Sequence, residues 1–141
     1  MEPKIAEHDA EIQACYAVMR QLRPHLQEET FVQRVREQQK AGYRLAYIEA
    51  DGRPVSVAGF RVGLNLAWGR FLYVDDLVTD EAHRSKGYGA AMLRWLFAEA
   101  KALGCQQVHL DSGVHRKDAH RFYQREGMRL ASYHFSAVVE T

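Results

Sequence analysis

The chain has 141 residues, of which 47% are hydrophobic and 26% are charged. This length and composition fit one folded domain and exclude a wholly disordered chain. The formal net charge of +1 excludes a strong overall attraction to nucleic acid or to anionic lipid. We therefore expect a single domain over residues 1–141, with neither nucleic acid nor a membrane as a partner.

Cysteine usage and the lack of long apolar runs indicate a cytoplasmic protein. Cys15 and Cys105 form neither a CxxC pair nor part of a metal-ligand cluster, so no metal site is expected. The segment from Met1 to His8 carries charges where a signal peptide needs an apolar run. No stretch approaches the ~20 apolar residues of a membrane-spanning helix.

The N-terminal part of the chain predicts two helices. Apolar residues at i, i+3, i+4 and i+7 spacing indicate one amphipathic helix that begins at Asp9 and that Pro24 ends. A second helix is expected from Thr30, with Gln33 in the position of a capping box and Gly42 just past the C-terminal end. The apolar positions of the first helix are Ile12, Cys15, Tyr16, Met19 and Leu22.

Strands follow these helices. Residues 43–50 and 55–62 predict a hairpin around the Asp51-Gly52 turn, and a short strand is expected near Ile5. Residues 70–79 carry apolar side chains on both faces, which indicates a central strand covered on both sides.

The remaining elements alternate between helix and strand. We expect a long helix over residues 87–103, a short strand over 107–110, a short helix over 118–126 and a last strand over 130–139. The predicted order is ααβββαβαβ, preceded by the short strand near Ile5. This order indicates an α/β (α+β) fold, in which a sheet is covered by helices on both faces.

A glycine-rich segment stands between the predicted central strand and the long helix. Its sequence is Arg84-Ser85-Lys86-Gly87-Tyr88-Gly89-Ala90. Unpaired N–H groups at a helix start, the helix dipole and two cationic side chains suit a phosphate or pyrophosphate. The segment matches neither GxxxxGK[ST] nor GxGxxG. A loop with helix-starting glycines and solvated charges is the alternative.

Three segments in order resemble the GNAT acetyltransferase superfamily. Arg84-x-x-Gly87-x-Gly89 resembles its [QR]xxGx[GA] pyrophosphate loop, residues 73–79 resemble its central strand, and residues 119–128 resemble its AxxFYxxxGF segment. The resemblance covers residues 43–139 well, whereas the N-terminal helices match only in kind. It implies a central mixed, mostly antiparallel sheet with helices on both faces, and acetyl-CoA as the cosubstrate.

The resemblance also implies which residues hold acetyl-CoA. Backbone N–H groups where neighbouring strands splay would bind the pantetheine and polarise the thioester carbonyl, and the glycine-rich segment would bind the pyrophosphate. Arg116 stands where the family often has Asn, so an Asn contact is not carried over. Arg116 belongs to a basic cluster that would bind the 3′-phosphate of CoA or an anionic acceptor, or would be solvated. The expected cofactor-binding residues are Leu77, Val78, Thr79, Arg84, Ser85, Lys86, Gly87, Tyr88, Gly89, Ala90 and Arg116.

Three residues are candidates for proton transfer. Asp75 and Asp76 interrupt an apolar strand, and a carboxylate there could anchor an ammonium group and take its proton. We favour Asp75 by resemblance to polyamine acetyltransferases, with Asp76 as second choice and a buried ion pair as the alternative. By resemblance to the family, Tyr123 would protonate the departing CoA thiolate. Its spacing from Ala119 and Phe122 equally fits a core aromatic.

The acceptor is left open by two conflicting resemblances. Residues 116–123 look like aminoalkylphosphonate acetyltransferases, and residues 73–76 look like spermidine/spermine acetyltransferases. We interpret the chain as an N-acetyltransferase that transfers acetyl from acetyl-CoA to a primary amine of a small molecule by direct attack in a ternary complex. Acetylation of a protein lysine or N-terminus, a non-catalytic acyl-CoA-binding module and an unrelated nucleotide-binding domain are the alternatives. A homodimer is compatible with the sequence.

Overall fold

The protein is described by a computed structural model that covers residues 1–140. It contains five strands, five α-helices and two short 3₁₀ turns, at Glu28–Thr30 and Glu81–His83. The strands are β1 (Lys4–Ile5), β2 (Arg44–Ala50), β3 (Arg53–Asn65), β4 (Gly69–Thr79) and β5 (Gln107–Leu110). The helices are α1 (Asp9–Ala14), α2 (Tyr16–Leu22), α3 (Phe31–Gln39), α4 (Tyr88–Ala102) and α5 (Lys117–Arg125).

All five strands form one sheet in the order β1-β2-β3-β4-β5. The first three pairings are antiparallel, and β5 runs parallel to β4. The hairpin between β2 and β3 turns at Asp51 and Gly52, whose φ angles of 53° and 77° are those that a tight hairpin turn needs. The mixed, mostly antiparallel sheet, the short first strand and the interior position of β4 confirm the sequence-based expectations.

Helices cover both faces of the sheet. Leu45 and Tyr47 of β2 pack in one buried cluster with side chains of α1, α2 and α3. The alternating residues Ala46 and Ile48 are also fully buried and point to the opposite face. On that face Phe60 of β3 meets Trp95 of α4 edge to face, with ring centroids 5.8 Å apart.

Two details of the N-terminal helices differ from prediction. The expected single helix from Asp9 is divided at Cys15 into α1 and α2. The predicted capping box at Thr30 is wrong, because the Thr30 side chain makes no cap hydrogen bond. A capping box forms instead at the start of α1, where Glu11 accepts a hydrogen bond of 2.9 Å from the backbone N–H of His8.

The chain divides into two compact units, the first spanning Met1–Leu110 and the second beginning at Asp111. The single-domain organisation over residues 1–141 therefore stays a prediction. Within the second unit α5 is the only regular element among the described residues.

The predicted last strand over residues 130–139 is wrong for this structure. Residues 128–140 form neither helix nor strand. The apolar pattern is present, but a strand also needs a neighbour that pairs its backbone N–H and C=O groups. No such pairing involves this segment in the described residues, and Leu130, Phe135 and Val138 are 73%, 90% and 95% exposed.

Among residues 1–140, no helix combines the length and the apolar character that a membrane span requires.

Candidate active site

A β-bulge in β4 places two carboxylates at the centre of the sheet. Gly59 of β3 pairs with Asp76 and the next residue, Phe60, pairs with Val74, so Asp75 has no partner in this ladder. A bulge adds one residue to a strand and redirects the side chains around it. The neighbouring aspartates consequently reach different partners.

Asp76 is held by an arginine and a tyrosine. Its Oδ1 accepts a hydrogen bond of 3.0 Å from Nε of Arg23, and its Oδ2 accepts one of 2.8 Å from the hydroxyl of Tyr43. A second N–H of Arg23 donates to the backbone carbonyl of Asp75 at 2.9 Å. Arg23 therefore binds both the side chain of Asp76 and the backbone at the bulge.

Tyr43 reaches Asp76 because Gly59 lies between them without a side chain. A Cβ atom built on Gly59 would come within 1.8 Å of the Tyr43 hydroxyl, which no real structure tolerates. Burial, and next the charge of Asp76, raise the pKa of Tyr43 well above its ordinary value of 10. The hydroxyl hence keeps its proton and acts as a hydrogen-bond donor at neutral pH.

Asp75 is held by a different arginine. Nε of Arg61 lies 3.2 and 3.0 Å from the two carboxylate oxygens of Asp75, and the Arg61 guanidinium lies 5.0 Å from the ring centre of Tyr73. Burial raises the pKa of Asp75, although the Arg61 hydrogen bond and charge act in the opposite direction. The ion-pair alternative of the sequence analysis thus describes a real contact for both aspartates, and the choice of proton acceptor stays a prediction.

A cavity of about 290 Å³ opens beside Asp76 in the first unit. Its apolar lining comes from Met19 of α2, Phe31 and Val35 of α3, and Leu26 between these helices. Its polar lining consists of Arg23, His25, Arg34, Gln38, Tyr43 and Asp76. Asp75 does not line this cavity, and so only one of the two aspartates faces the enclosed space.

The edge of β4 toward β5 becomes unpaired halfway along the strand. β5 pairs only with Phe71–Val74, whereas β4 continues to Thr79. Leu77, Val78 and Thr79 keep their partners in β3, so only their edge toward β5 lacks a paired strand among the described residues. Such an edge offers backbone N–H and C=O groups to a ligand. The predicted pantetheine-binding residues therefore lie where β4 continues beyond its pairing with β5, and their role stays a prediction.

The glycine-rich segment leads directly into α4. Ser85 and Gly87 have φ angles of 63° and 90°, and Gly87 caps the helix without a side-chain hydrogen bond. The first helical hydrogen bond runs from the N–H of Ala91 to Gly87, at 3.0 Å. The N–H groups of Tyr88, Gly89 and Ala90 consequently have no acceptor inside the helix. These donors, with the exposed Arg84 and Lys86, fit a pyrophosphate.

Two contacts connect the segment before α4 to α2. The side chain of Gln21 donates to Asp80 at 2.7 Å and accepts from the backbone N–H of Glu81 at 2.9 Å. His83 also lies 2.7 Å from Asp80. The loop that precedes the glycines is thereby fixed to the body of the first unit.

Tyr123 and Arg116 lie in the second unit. Tyr123 is half-buried on α5, its ring centre is 5.3 Å from that of Phe122, and its hydroxyl has no hydrogen-bond partner within residues 1–140. Burial raises the pKa of Tyr123, and the charge of Arg116 opposes the shift. A raised pKa keeps the phenol protonated, which a proton donor requires. The roles of both residues stay predictions.

Several residues around the aspartates and the cavity were not predicted from the sequence. Arg23 and Tyr43 bind Asp76, Arg61 binds Asp75, and Arg34 lines the cavity. None of these residues belongs to a recognisable motif. One signal was available for Tyr43, because a glycine inside a strand marks a close approach by another group. Gly59 is such a glycine, although the sequence does not tell which group approaches it.

The chain resembles known acetyltransferases both in its family profile and in its relatives. The profile of the acetyltransferase (GNAT) family matches residues 10–128. The uncharacterized N-acetyltransferase YhdJ of Bacillus subtilis is 37% identical over 126 residues, which are 88% of this chain and 89% of that protein. The aminoalkylphosphonate N-acetyltransferase of Salmonella typhimurium is 30% identical over 98 residues, which are 69% of this chain and 62% of that enzyme. The second alignment thus spans less than two thirds of the relative.

Solved structures share the fold at lower identity. Glucosamine-6-phosphate N-acetyltransferase from Arabidopsis thaliana superposes with a TM-score of 0.79 at 22% identity, over 99% of this chain and all of that one. An acetyltransferase from Trypanosoma brucei superposes with a TM-score of 0.80 at 20% identity, over 98% and 99% of the two chains. At these identities the likeness concerns the fold alone.

Proposed function

Because the chain belongs to the acetyltransferase (GNAT) family and is an acyltransferase of the N-acetyltransferase type, we propose that it transfers the acetyl group of acetyl-CoA to a primary amine of a small molecule. The family uses acetyl-CoA as cosubstrate, and this supplies an activated acetyl thioester. The observation that carries the proposal is the cavity beside Asp76 of β4, which is lined by residues of α2 and α3.

Binding of acetyl-CoA is assigned to two features that fit it. The uncapped N–H groups of Tyr88, Gly89 and Ala90 would hold the pyrophosphate, with Arg84 and Lys86 adding positive charge. The unpaired edge of β4 from Leu77 to Thr79 would hold the pantetheine and orient the thioester carbonyl. We keep Ser85, whose left-handed backbone shapes the loop, and Arg116 as further contacts to CoA.

For the acceptor we now favour Asp76 over Asp75 as the carboxylate that meets the amine. An alkylamine is protonated at neutral pH, since its pKa is about 10, and it attacks only after losing a proton. Asp76 lines the cavity, and the arginine and tyrosine that hold it leave lone pairs on both of its oxygens. It would anchor the ammonium group and accept its proton, directly or through water. Asp75, paired with Arg61, would be a positioning residue.

Tyr123 is proposed to donate a proton, whereas Asp76 is proposed to accept one. Direct attack of the amine releases CoA as a thiolate, which needs a proton, and a phenol kept neutral by burial can donate one. No cysteine lines the cavity, and burial raises the pKa of Cys15 to about 12, so an acyl-enzyme route has no support. Both observations favour direct transfer in a ternary complex.

The size of the cavity is compatible with a small-molecule acceptor. Its volume of about 290 Å³ lies just below the ~300–1,000 Å³ that small-molecule sites occupy. Cytoplasmic location is proposed on the two free cysteines, since thiols persist in a reducing compartment. Assembly as a homodimer stays a prediction.

The proposed activity is tested by release of free thiol from acetyl-CoA in the presence of a panel of primary amines, with the acetylated product identified by mass spectrometry. Amine-dependent thiol release with a matching product supports the enzyme. Tight binding of acetyl-CoA without product from any amine would instead indicate the non-catalytic acyl-CoA-binding module.

A further inference from the structure

The cavity beside Asp76 carries more positive than negative charge. Two guanidinium groups, Arg23 and Arg34, line it together with a single carboxylate, that of Asp76. Arg23 is neutralised by Asp76, because its Nε lies 3.0 Å from Oδ1 of that residue. The positive charge of Arg34 is not neutralised by the carboxylate that lines the cavity.

Arg34 has no partner that would neutralise it. It lies on the solvent-exposed side of α3 and makes neither a hydrogen bond nor an ion pair within residues 1–140. Arg36, two residues later on the same helix, is by contrast paired with Asp9 at 2.7 Å. An unpaired arginine that lines a cavity is available to an anion of a ligand.

The remaining polar lining favours the same kind of ligand. His25 and Gln38 also line the cavity, and neither adds a negative charge. A polyamine would bring several positive charges to a space whose only carboxylate is already paired with Arg23. Like charges without compensation oppose binding. An acceptor with only ammonium groups is thus disfavoured.

Between the charged groups the cavity is apolar. Met19, Phe31 and Val35 line it and are 2%, 2% and 4% exposed. Such a surface gains free energy when it covers methylene groups of a ligand. Because the cavity is small, the apolar stretch suits a short alkyl chain.

We propose, on the basis of the function proposed above, that the acceptor is a small molecule in which a short alkyl chain joins the primary amine to an anionic group, a carboxylate or a phosphonate. Asp76 takes the ammonium end, Arg34 pairs with the anionic end, and the apolar residues cover the chain between them. Arg34 is therefore a specificity-determining residue.

The test compares matched acceptors with and without an anion. The probes are 2-aminoethylphosphonate, β-alanine, propylamine and spermidine, with kcat/KM measured for each. The anionic amines are expected to exceed propylamine and spermidine by about 10- to 100-fold, the effect of a charge-assisted hydrogen bond. The ratio of kcat/KM for 2-aminoethylphosphonate to kcat/KM for β-alanine shows whether the preferred anion is a phosphonate or a carboxylate.

Variants of Arg34 make the assignment specific. Arg34→Gln should lower kcat/KM for the anionic amines by about 10- to 100-fold and leave propylamine nearly unchanged. Arg34→Lys should restore part of the loss because it keeps the charge. Arg20→Gln is the matched control, since Arg20 is an exposed arginine of α2 that does not line the cavity. Equal kcat/KM for amines with and without an anionic group, with no effect of Arg34→Gln, would overturn the proposal. The acetyltransferase activity would still be supported.

Calorimetry separates this proposal from the proposed activity. Binding of 2-aminoethylphosphonate or β-alanine that weakens in Arg34→Gln, without turnover, would support the anion subsite and contradict the enzyme. Absence of both binding and turnover with every probe would overturn the subsite as well.

Discussion

The hydroxyl of Tyr43 donates a 2.8 Å hydrogen bond to Oδ2 of Asp76, across a position that Gly59 leaves open. The two residues are thereby fixed at the wall of the cavity, together with Arg23 on the other carboxylate oxygen. Burial keeps the tyrosine protonated, so it serves as a hydrogen-bond donor to the Asp76 carboxylate. This geometry suits a carboxylate that holds an ammonium group.

The first prediction concerns the choice between the two aspartates. If Asp76 accepts the amine proton, Asp76→Asn should lower kcat/KM at pH 7 by about 10²- to 10⁴-fold, the usual effect of a lost general base. The loss should shrink toward pH 10, where the free amine is abundant. The measurement is a pH–rate profile of folded protein.

Asp75→Asn is the matched comparison, because the two substitutions remove equal charge from neighbouring positions of one strand. If Asp75 only positions the bulge through Arg61, its loss should be smaller and equal at all pH values. A larger and pH-dependent loss in Asp75→Asn than in Asp76→Asn would return the role to Asp75.

A second prediction concerns the hydrogen bond itself. Tyr43→Phe removes one donor to Asp76 and leaves the ring, whose burial is nearly complete, in place. Loss of a hydrogen bond to a charged group costs about 1.5–3 kcal/mol, which urea unfolding at pH 7 should show as a lower free energy of unfolding. An unchanged free energy of unfolding would show that the hydrogen bond to Asp76 adds no net stability.

Strands β1 to β5, α4 and the glycine-rich segment could be predicted from the sequence because local patterns encode them. The turn at Asp51-Gly52 and the alternation of β2 need no knowledge of distant residues. The partners of Asp75 and Asp76 could not be predicted in this way. Arg23 and Tyr43 are 53 and 33 positions from Asp76, and only the packing of α2 and the sheet brings them together.

The errors have the same physical origin. Residues 130–139 have the composition of a strand, but pairing with a neighbouring strand decides whether one forms. At Thr30 the residue types of a capping box are present without the hydrogen bonds, whereas His8 and Glu11 form one from a less common residue pair. Residue types favour a strand or a capping box, and tertiary contacts determine whether it forms.

The third prediction tests whether the glycine-rich segment binds the pyrophosphate. It compares two glycines that flank the two ends of α4. Gly87 precedes α4 with φ +90°, and Gly104 follows it with φ +74°, and no backbone atom lies within 4 Å of a Cβ at either position. Valine in this conformation is strained at both, at about 1–3 kcal/mol. Only Gly87→Val should also weaken binding of acetyl-CoA, by about tenfold or more.

Calorimetry with acetyl-CoA and urea unfolding of both variants check this prediction. Similar losses of stability are expected, so the difference in affinity isolates the loop. Equal affinity in Gly87→Val and Gly104→Val would contradict the assignment of the pyrophosphate to this segment.

The fourth prediction concerns stability in acid. Hydrogen bonds from the backbone of His8, the side chain of Tyr47 and the backbone of Glu7 lower the pKa of Glu11 from 4.5 to about 2. A folded-state pKa below the unfolded value stabilises the fold above about pH 4.5, and this contribution is lost as the pH falls toward 2. Glu11→Gln should therefore be less stable than the wild type at pH 7, with the difference shrinking at pH 3.

Urea unfolding at the two pH values measures the effect. Glu37→Gln serves as control, since Glu37 is exposed and its recorded ion pair is with Lys40 on the surface of α3. A pH-independent deficit in Glu11→Gln would show that the substitution acts through packing.

The last prediction concerns Tyr123. Phenylalanine keeps the ring beside Phe122 and removes a hydroxyl that has no hydrogen-bond partner within residues 1–140, so stability should change little. If the phenol protonates the CoA thiolate, Tyr123→Phe should lower kcat by about 10²- to 10⁴-fold. Affinity for acetyl-CoA should change far less, because the proton is needed in the transition state and not in the bound ground state. Burial raises the pKa of Tyr123, so the donor keeps its proton through neutral pH.

The deficit of Tyr123→Phe should diminish at high pH for two reasons. A thiolate leaves without help above the pKa of its thiol, and the wild type loses its donor as the phenol ionises. The decisive measurement is a pH–rate profile of both proteins at saturating acetyl-CoA, under conditions in which chemistry limits the rate. Phe122→Leu is the control for the packing of α5, since it alters the neighbouring ring and leaves the hydroxyl in place. Equal kcat for the wild type and Tyr123→Phe across the profile would leave Tyr123 a packing residue of α5.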